Sequence, residues 1–229
     1  MMTLSERQET KRARKKDAAR NRAAGLMAPL AVALVAFAGP AGAQTTKTVS
    51  HGPIPYRVSS DCMVCHGMRG SATDYGVIPR LAGQHKSYLV MQLNQFKKHT
   101  RADQNGQIYM WPVAQGLTTR QINEVASYFA AQRPRFGSSG VSHKGVAAGK
   151  AIFTNGVTSE QIPACAECHG ANAQGAGTFP DIAGQRYEYI VQQLRYFHNG
   201  TRTNELMNQI AKNITPAQEK EVAAYLSSL

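Results

Sequence analysis

Apolar side chains follow a helical spacing in two stretches of this sequence that lie 101 residues apart. In each stretch they occupy positions i, i+4 and i+7, which places them on one face of a helix: Leu89, Leu93 and Phe96, then Ile190, Leu194 and Phe197. Thr118 and Thr215 each precede a glutamine by three residues, the capping-box pattern that begins a helix. No segment sustains the alternation of apolar and polar residues that is typical of a strand, so the predicted fold class is all-α.

The chain is also an imperfect repeat of two halves. The sequence CMVCHG at residues 62–67 returns as CAECHG at residues 165–170, and PRLAGQ at 79–84 returns as PDIAGQ at 180–185. The match continues to Arg101 and Arg202, loses four residues, and resumes at Met110 and Met207. Such self-similarity indicates duplication of one small domain. We predict a first domain at residues 44–132, an exposed linker at 133–145, and a second domain at 146–229.

The formal charge of +12 is concentrated toward the beginning of the chain. Residues 1–43 carry eight Lys and Arg side chains, then an apolar run at 23–38 and an Ala-Gly-Ala sequence at 41–43. This order is typical of a secretory signal peptide. The apolar run contains Pro29 and is shorter than the roughly 18 residues of a membrane-spanning helix, so a retained anchor is the less favoured alternative. Without the leader the charge falls to +7, and a nucleic-acid partner is not expected.

All four cysteines belong to two C-x-x-C-H motifs, Cys62, Cys65 and His66 in the first half and Cys165, Cys168 and His169 in the second. This motif attaches haem c: two thiols bond to the porphyrin, and the adjacent histidine ligates the iron. Zinc ribbons usually place their two Cys pairs roughly 15–20 residues apart, much closer than here. Structural disulfides or a thioredoxin-like redox pair would not need the histidines. We predict two covalently bound haem c groups, which would fill cores that such small domains build poorly.

The repeat also selects a second axial ligand for each iron. The remaining histidines do not align between the halves, whereas Met110 aligns with Met207 and each is followed by x-x-[Val/Ile]-Ala. A lone methionine in such a position is more often part of a core. Its recurrence before both C-terminal helices favours iron ligation. Histidine and methionine together favour ferrous iron and leave no open coordination position, which indicates electron transfer rather than catalysis at the iron.

On these motifs the chain resembles the dihaem cytochromes of the cytochrome c4 family, from about Ser60 to Leu229. The resemblance implies two tandem class I cytochrome c domains related by pseudo-twofold symmetry, with the haems close together at their interface. It implies that Pro79 and Pro180, in the haem-edge segments, orient the histidine ligands through their carbonyl groups. The implied function is non-enzymatic, periplasmic electron transfer in a respiratory chain. A quinol-oxidising complex or a dehydrogenase would be the donor and a terminal oxidase the acceptor, and peripheral membrane association stays open.

Two other functions remain as alternatives. The same fold serves as the dihaem cytochrome subunit of larger dehydrogenases, such as a flavocytochrome c sulfide dehydrogenase. A dihaem enzyme, such as a peroxidase or a thiosulfate dehydrogenase, would need a displaceable or unusual iron ligand. The matched methionines speak against that enzyme class.

The two halves differ at their beginnings. Residues 146–153 predict a helix in which Gly149 permits a close crossing with the last helix. The first half has His51-Gly-Pro-Ile-Pro-Tyr-Arg at the corresponding place, and its two prolines predict that the first domain lacks a regular first helix. Trp111, beside Met110, has no aromatic counterpart in the second half. It is expected either to pack against the haem or to lie at the surface.

Overall fold

A computed structural model describes residues 53–71, 76–134 and 145–229. These residues lie in one compact unit, Val49–Leu229. They form nine α-helices joined by turns and loops, and their β-type pairings are limited to two isolated bridges. The predicted all-α fold class is therefore confirmed. The predicted signal peptide lies outside the described residues, as does most of the predicted linker.

The first half of the described chain contains four of these helices. We number them α1 to α4: Met63–His66, Lys86–Lys97, Trp111–Gln115 and Thr119–Ala130. Short π-helical turns precede α1 and α3, at Val58–Cys62 and Gly106–Met110. Helices α2 and α4 pack against each other. Between them lies a buried cluster that includes Val58, Leu89, Val125 and Phe129.

The second half contains the other five helices, α5 to α9: Val146–Asn155, Ala166–His169, Tyr187–His198, Glu205–Ala211 and Pro216–Ser228. A 3₁₀ turn at Thr158–Glu160 connects α5 to the segment before α6. Helix α9 packs against both α5 and α7, and its apolar residues join a core that includes Phe153, Ile190 and Leu226. Among the helices of the described ranges, none has the length and apolar character needed to cross a bilayer.

The crossing of α5 and α9 depends on Gly149. A Cβ atom at this position would lie 1.9 Å from the backbone oxygen of Glu221, so the two helix backbones touch where α5 has no side chain. No helix equivalent to α5 precedes α1 in the described part of the first half. The residues before 53, which include the beginning of the segment on which the proline-based prediction rests, lie outside the described residues. The first half also has the smaller buried cluster.

Both predicted capping boxes form, at the starts of α4 and α9. The Thr118 hydroxyl accepts from the backbone N–H of Gln121 at 3.2 Å, and the Gln121 side chain accepts from the Thr118 N–H at 2.8 Å. Thr215 and Gln218 make the same reciprocal pair at 3.3 and 2.8 Å. Each box satisfies backbone donors that a helix start leaves unpaired.

Candidate haem sites

Each C-x-x-C-H motif occupies a single helical turn. Cys62 and Cys165 stand at the N-terminal caps of α1 and α6, and each helix ends at its histidine. The next residues, Gly67 and Gly170, have φ angles of 73° and 78°. Only glycine adopts this conformation without strain. The chain can therefore leave the helix directly after the histidine, with both thiols and the imidazole kept within one turn.

The cysteines of each motif differ in their environment. Cys62 is buried and Cys165 half-buried, while Cys65 and Cys168 are exposed. Burial raises the pKa of Cys62 to about 11, and the nearby Asp61 carboxylate adds to this. Burial likewise raises the pKa of Cys165 to about 11. At neutral pH these two side chains are protonated thiols rather than thiolates, which does not favour a reactive redox pair.

The structure brings each motif histidine to the proline that follows it in the same half. Nδ1 of His66 lies 3.0 Å from the carbonyl oxygen of Pro79, and Nδ1 of His169 lies 3.2 Å from that of Pro180. A carbonyl oxygen only accepts, so Nδ1 carries the proton in both rings. Within the described residues Nε2 of each ring has no hydrogen-bond partner, which leaves its lone pair available.

Burial keeps both imidazoles neutral. It lowers the pKa of His66 and that of His169, although the hydrogen bonds to the proline carbonyls act in the opposite direction. His66 is buried, with 7% of its surface exposed. A neutral imidazole with a protonated Nδ1 and a free Nε2 is the form that binds a metal ion.

The two candidate methionine ligands come from different kinds of element. Met110 ends the π-helical turn before α3, whereas Met207 lies within α8 and packs against the core of the second half. Both are half-buried. In the described part of the chain neither sulfur makes a hydrogen bond, so each thioether is free to act as a ligand.

Trp111, for which the sequence left two expectations, has a defined set of contacts. Its ring stacks on His99 with the centroids 4.0 Å apart, and its Nε1 donates to the backbone oxygen of Arg101 at 2.8 Å. The side chain is half-buried. Trp111 therefore links the start of α3 to the segment that follows α2.

These groups fit haem c. Each half supplies two cysteines in one turn, a neutral histidine whose Nε2 has no hydrogen-bond partner among the described residues, and a methionine sulfur that makes no hydrogen bond there. A helical fold with a C-x-x-C-H turn and a proline-held histidine defines the class of c-type cytochromes, and here the arrangement occurs twice in one chain.

Comparison with known proteins agrees with this class. The profile of the Cytochrome c family matches residues 56–132 and 146–229. Cytochrome c-552 of Acidithiobacillus ferridurans is 65% identical over 197 residues, which cover 86% of this chain and 85% of that protein. The thiosulfate dehydrogenase electron acceptor of Thiomonas intermedia is 32% identical over 176 residues, which cover 74% and 79% of the two chains.

A solved structure of Acidithiobacillus ferrooxidans cytochrome c4 superposes with a TM-score of 0.71, at 68% identity, and covers 74% of this chain and 99% of that one. The chain belongs to the cytochrome c family. It is a c4-type electron-transfer protein with two domains and two covalently bound haem c groups.

A set of buried polar residues lies between the two halves and was not predicted from the sequence. Gln84, Gln92, Arg101 and their repeat equivalents Gln185, Gln193 and Arg202 are each buried, with 6–7% exposure. Several bond across the domain boundary: Gln84 to Asp181, Gln185 to Arg80, Arg101 to Gln193, and Arg202 to Gln92. The sequence did contain a signal for these residues. They are identical in the two halves, and Gln92 and Gln193 lie among the apolar positions of a helix.

Proposed function

We propose that this protein is a periplasmic one-electron carrier of a respiratory chain that delivers electrons toward a terminal oxidase. The observation that carries the proposal is the pair of neutral histidines, each held at Nδ1 by a proline carbonyl and each in one helical turn with the two cysteines of its motif. The proposed domains are residues 44–132 and 146–229, joined by the linker 133–145.

The residues of each half have separate roles in this proposal. In the first domain Cys62 and Cys65 form the two thioether bonds, while His66 and Met110 ligate the iron. Cys165, Cys168, His169 and Met207 do the same in the second domain. Haem c bound there supplies an iron that gains or loses a single electron.

Pro79 and Pro180 act through the histidines. Each carbonyl fixes the Nδ1–H tautomer and the orientation of the ring, so that Nε2 would be available to ligate the iron. If the imidazole and the thioether both bind the iron, haem c held there would have no ligand position left for a substrate. This supports electron transfer without a bond-making step.

The proposed location and partners rest on the sequence. Residues 1–43 have the plan of an exported leader, and the charge of +7 on the remaining chain favours weak docking on acidic redox proteins. The proposed donor is a quinol-oxidising complex or a dehydrogenase. Fractionation of the native cells tests the location: recovery of the protein in the cytoplasm would contradict it.

A second candidate is a role as the cytochrome partner of a dehydrogenase. It is favoured by the similarity to a protein named as a thiosulfate dehydrogenase electron acceptor. Purification of the native protein without detergent or high salt distinguishes the two. A stoichiometric dehydrogenase in the purified complex would favour the partner role, whereas a lone cytochrome would favour the mobile carrier.

The haem content and the closed coordination are tested together. A pyridine haemochrome assay on the holoprotein should give two haems per chain, and the reduced native protein should bind little carbon monoxide. A single haem would contradict the proposed sites. Strong carbon monoxide binding would indicate an open iron position and would favour an enzyme.

A further inference from the structure

Two glutamines, Gln84 and Gln185, form hydrogen bonds with the backbone of the opposite domain. The Gln185 side chain accepts from the N–H of Arg80 at 2.8 Å and donates to the Arg80 oxygen at 3.0 Å. The Gln84 side chain accepts from the N–H of Asp181 at 2.9 Å and donates to its oxygen at 2.8 Å. Both glutamines are buried, with 6% exposure. Each amide thus forms two hydrogen bonds to one residue of the other domain.

The backbone bonded by Gln185 also contacts the motif histidine of the first domain. The carbonyl of Pro79 and the N–H of Arg80 belong to the same peptide unit. Its oxygen lies 3.0 Å from His66 Nδ1, and its N–H donates to Gln185 of the other domain at 2.8 Å. This peptide unit is therefore hydrogen-bonded at both ends, within its own domain and across the boundary.

The second domain repeats the arrangement with the roles exchanged. The peptide unit between Pro180 and Asp181 has its oxygen 3.2 Å from His169 Nδ1, and its N–H donates to Gln84 at 2.9 Å. In each candidate haem site, the peptide unit that faces the histidine is thus hydrogen-bonded to a side chain from the other domain.

Other hydrogen bonds also connect the two domains. The boundary also contains the buried bond from Arg101 to Gln193 at 2.9 Å and that from Asn105 to Gln192 at 2.8 Å. These bonds join the domains without touching either proline peptide. The two glutamines differ because their bonds end on the peptide units that face the histidines.

Hydrogen bonds in a chain polarise one another, so a peptide whose N–H donates has a more strongly accepting oxygen. A stronger acceptor at Nδ1–H makes an imidazole a better electron donor to its metal and stabilises the ferric state. We propose that Gln185 and Gln84 are positioning residues that lower the reduction potential of the opposite domain's centre, Gln185 acting on the His66 centre and Gln84 on the His169 centre. This inference rests on the proposed haem ligation.

The test compares three variants of the holoprotein: Gln185→Leu, Gln84→Leu, and the control Gln192→Leu. The control loses a bond across the same boundary, to Asn105, but touches no proline peptide. Two measurements are made on each variant: the reduction potential of each centre by spectroelectrochemical titration, and the NMR shift of each histidine Nδ1–H in the ferrous state.

We expect a crossed pattern. Gln185→Leu raises the potential of the His66 centre and moves the His66 Nδ1–H resonance upfield, as for a weaker hydrogen bond, while the His169 centre changes less. Gln84→Leu has the mirror effect. Equal shifts at both centres, a shift mainly in the variant's own domain, or a shift no larger than that of Gln192→Leu would overturn the proposal.

Gln185→Glu provides a second test should the leucine variants fold poorly. It retains an oxygen acceptor for the Arg80 N–H, and a carboxylate accepts more strongly than an amide. The His66 Nδ1–H resonance should therefore move downfield, and an unchanged or upfield resonance would contradict the proposal. A protein without two reversible one-electron transitions would instead refute the proposed function, so the two failures are distinguishable.

Discussion

Arg101 and Arg202 reach across the domain boundary in a nearly symmetrical exchange. Arg101 donates to Gln193 of the second domain at 2.9 Å, and Arg202 donates to Gln92 of the first at 3.0 Å. Each arginine also donates to the glutamine of its own domain, at 2.6 and 2.7 Å. The two arginines differ in one respect: among the described residues only Arg101 has a buried carboxylate partner, Asp103, at 2.7 Å.

This asymmetry predicts that Asp103 is essential for stability. Asp103 is fully buried, at 0% exposure, and its removal would leave the buried Arg101 guanidinium without its ion-pair partner. Asp103→Asn should lower the free energy of unfolding by about 3–5 kcal/mol, as for other broken buried ion pairs. Denaturant unfolding of the holoprotein measures the change.

The matched control is Asn204→Asp, two residues after Arg202 as Asp103 is two residues after Arg101. Asn204 is exposed and its side chain accepts from the Met207 N–H at 3.0 Å, a role that aspartate also fills at a helix start. A loss from Asp103→Asn no greater than the effect of this control would contradict the importance of the buried pair.

Gly149→Ala should destabilise the second domain. Alanine gains up to about 1 kcal/mol of helix propensity over glycine, but its Cβ would overlap the Glu221 backbone oxygen, 1.9 Å away. Overpacking of this kind costs about 1–3 kcal/mol or more, and the contact is with backbone, which cannot move aside easily. The overlap should therefore dominate, with a lower midpoint in thermal unfolding.

Gly116→Ala is the corresponding control. Its φ angle is −80°, and a Cβ there would make an ordinary contact, 3.4 Å from the Arg57 guanidinium. If the two alanine variants have the same stability, the close crossing of α5 and α9 is not rigid.

Local sequence patterns predicted much of the fold and the central residues of the two sites. The capping threonines Thr118 and Thr215 and the glycine at 149 are local signals, because each acts on neighbouring backbone or on a predicted helix face. The C-x-x-C-H turns are local as well. The partnership of each histidine with a proline came only from the family resemblance, since nothing in the spacing of residues 66 and 79 fixes a contact.

The boundary between the domains was not predicted, and the reason is physical. A buried polar residue such as Gln92 becomes favourable only when its partner in the other domain, here Arg202, satisfies it. Periodicity within one helix contains no information about that partner. The π-helical turn that ends at Met110 was not predicted either. It lies in the segment where the first half has four more residues than the second, so the repeat offers no equivalent for comparison.

A pH dependence is expected at Asp181. Partial burial raises its pKa above the ordinary value, so ionisation is less favourable in the folded than in the unfolded protein. The penalty is present in full above the raised pKa and disappears as the pH falls below about 4, the unfolded value. Asp181→Asn keeps an oxygen for the bond from the Ala183 N–H, 2.9 Å in the native protein.

The variant should therefore be more stable than the native protein near neutral pH, and the difference should shrink to zero on acidification. Thermal unfolding across a pH series measures it, with Glu124→Gln, which removes an exposed carboxylate paired with Arg120, as control. A difference that grows as the pH falls would contradict the sign of this effect.

The methionine ligands predict spectroscopic changes confined to one centre. Met110→Ala and Met207→Ala should each remove the sulfur-to-iron charge-transfer band of a single ferric centre and lower its reduction potential, because a thioether favours ferrous iron. Met68→Ala is the matched control, since that side chain is exposed to 49% and its mutation should leave the band intact. A full-strength band in either of the first two variants would reject that methionine as a ligand. Loss of both centres' bands in one variant would instead indicate general unfolding, which circular dichroism of the same sample would reveal.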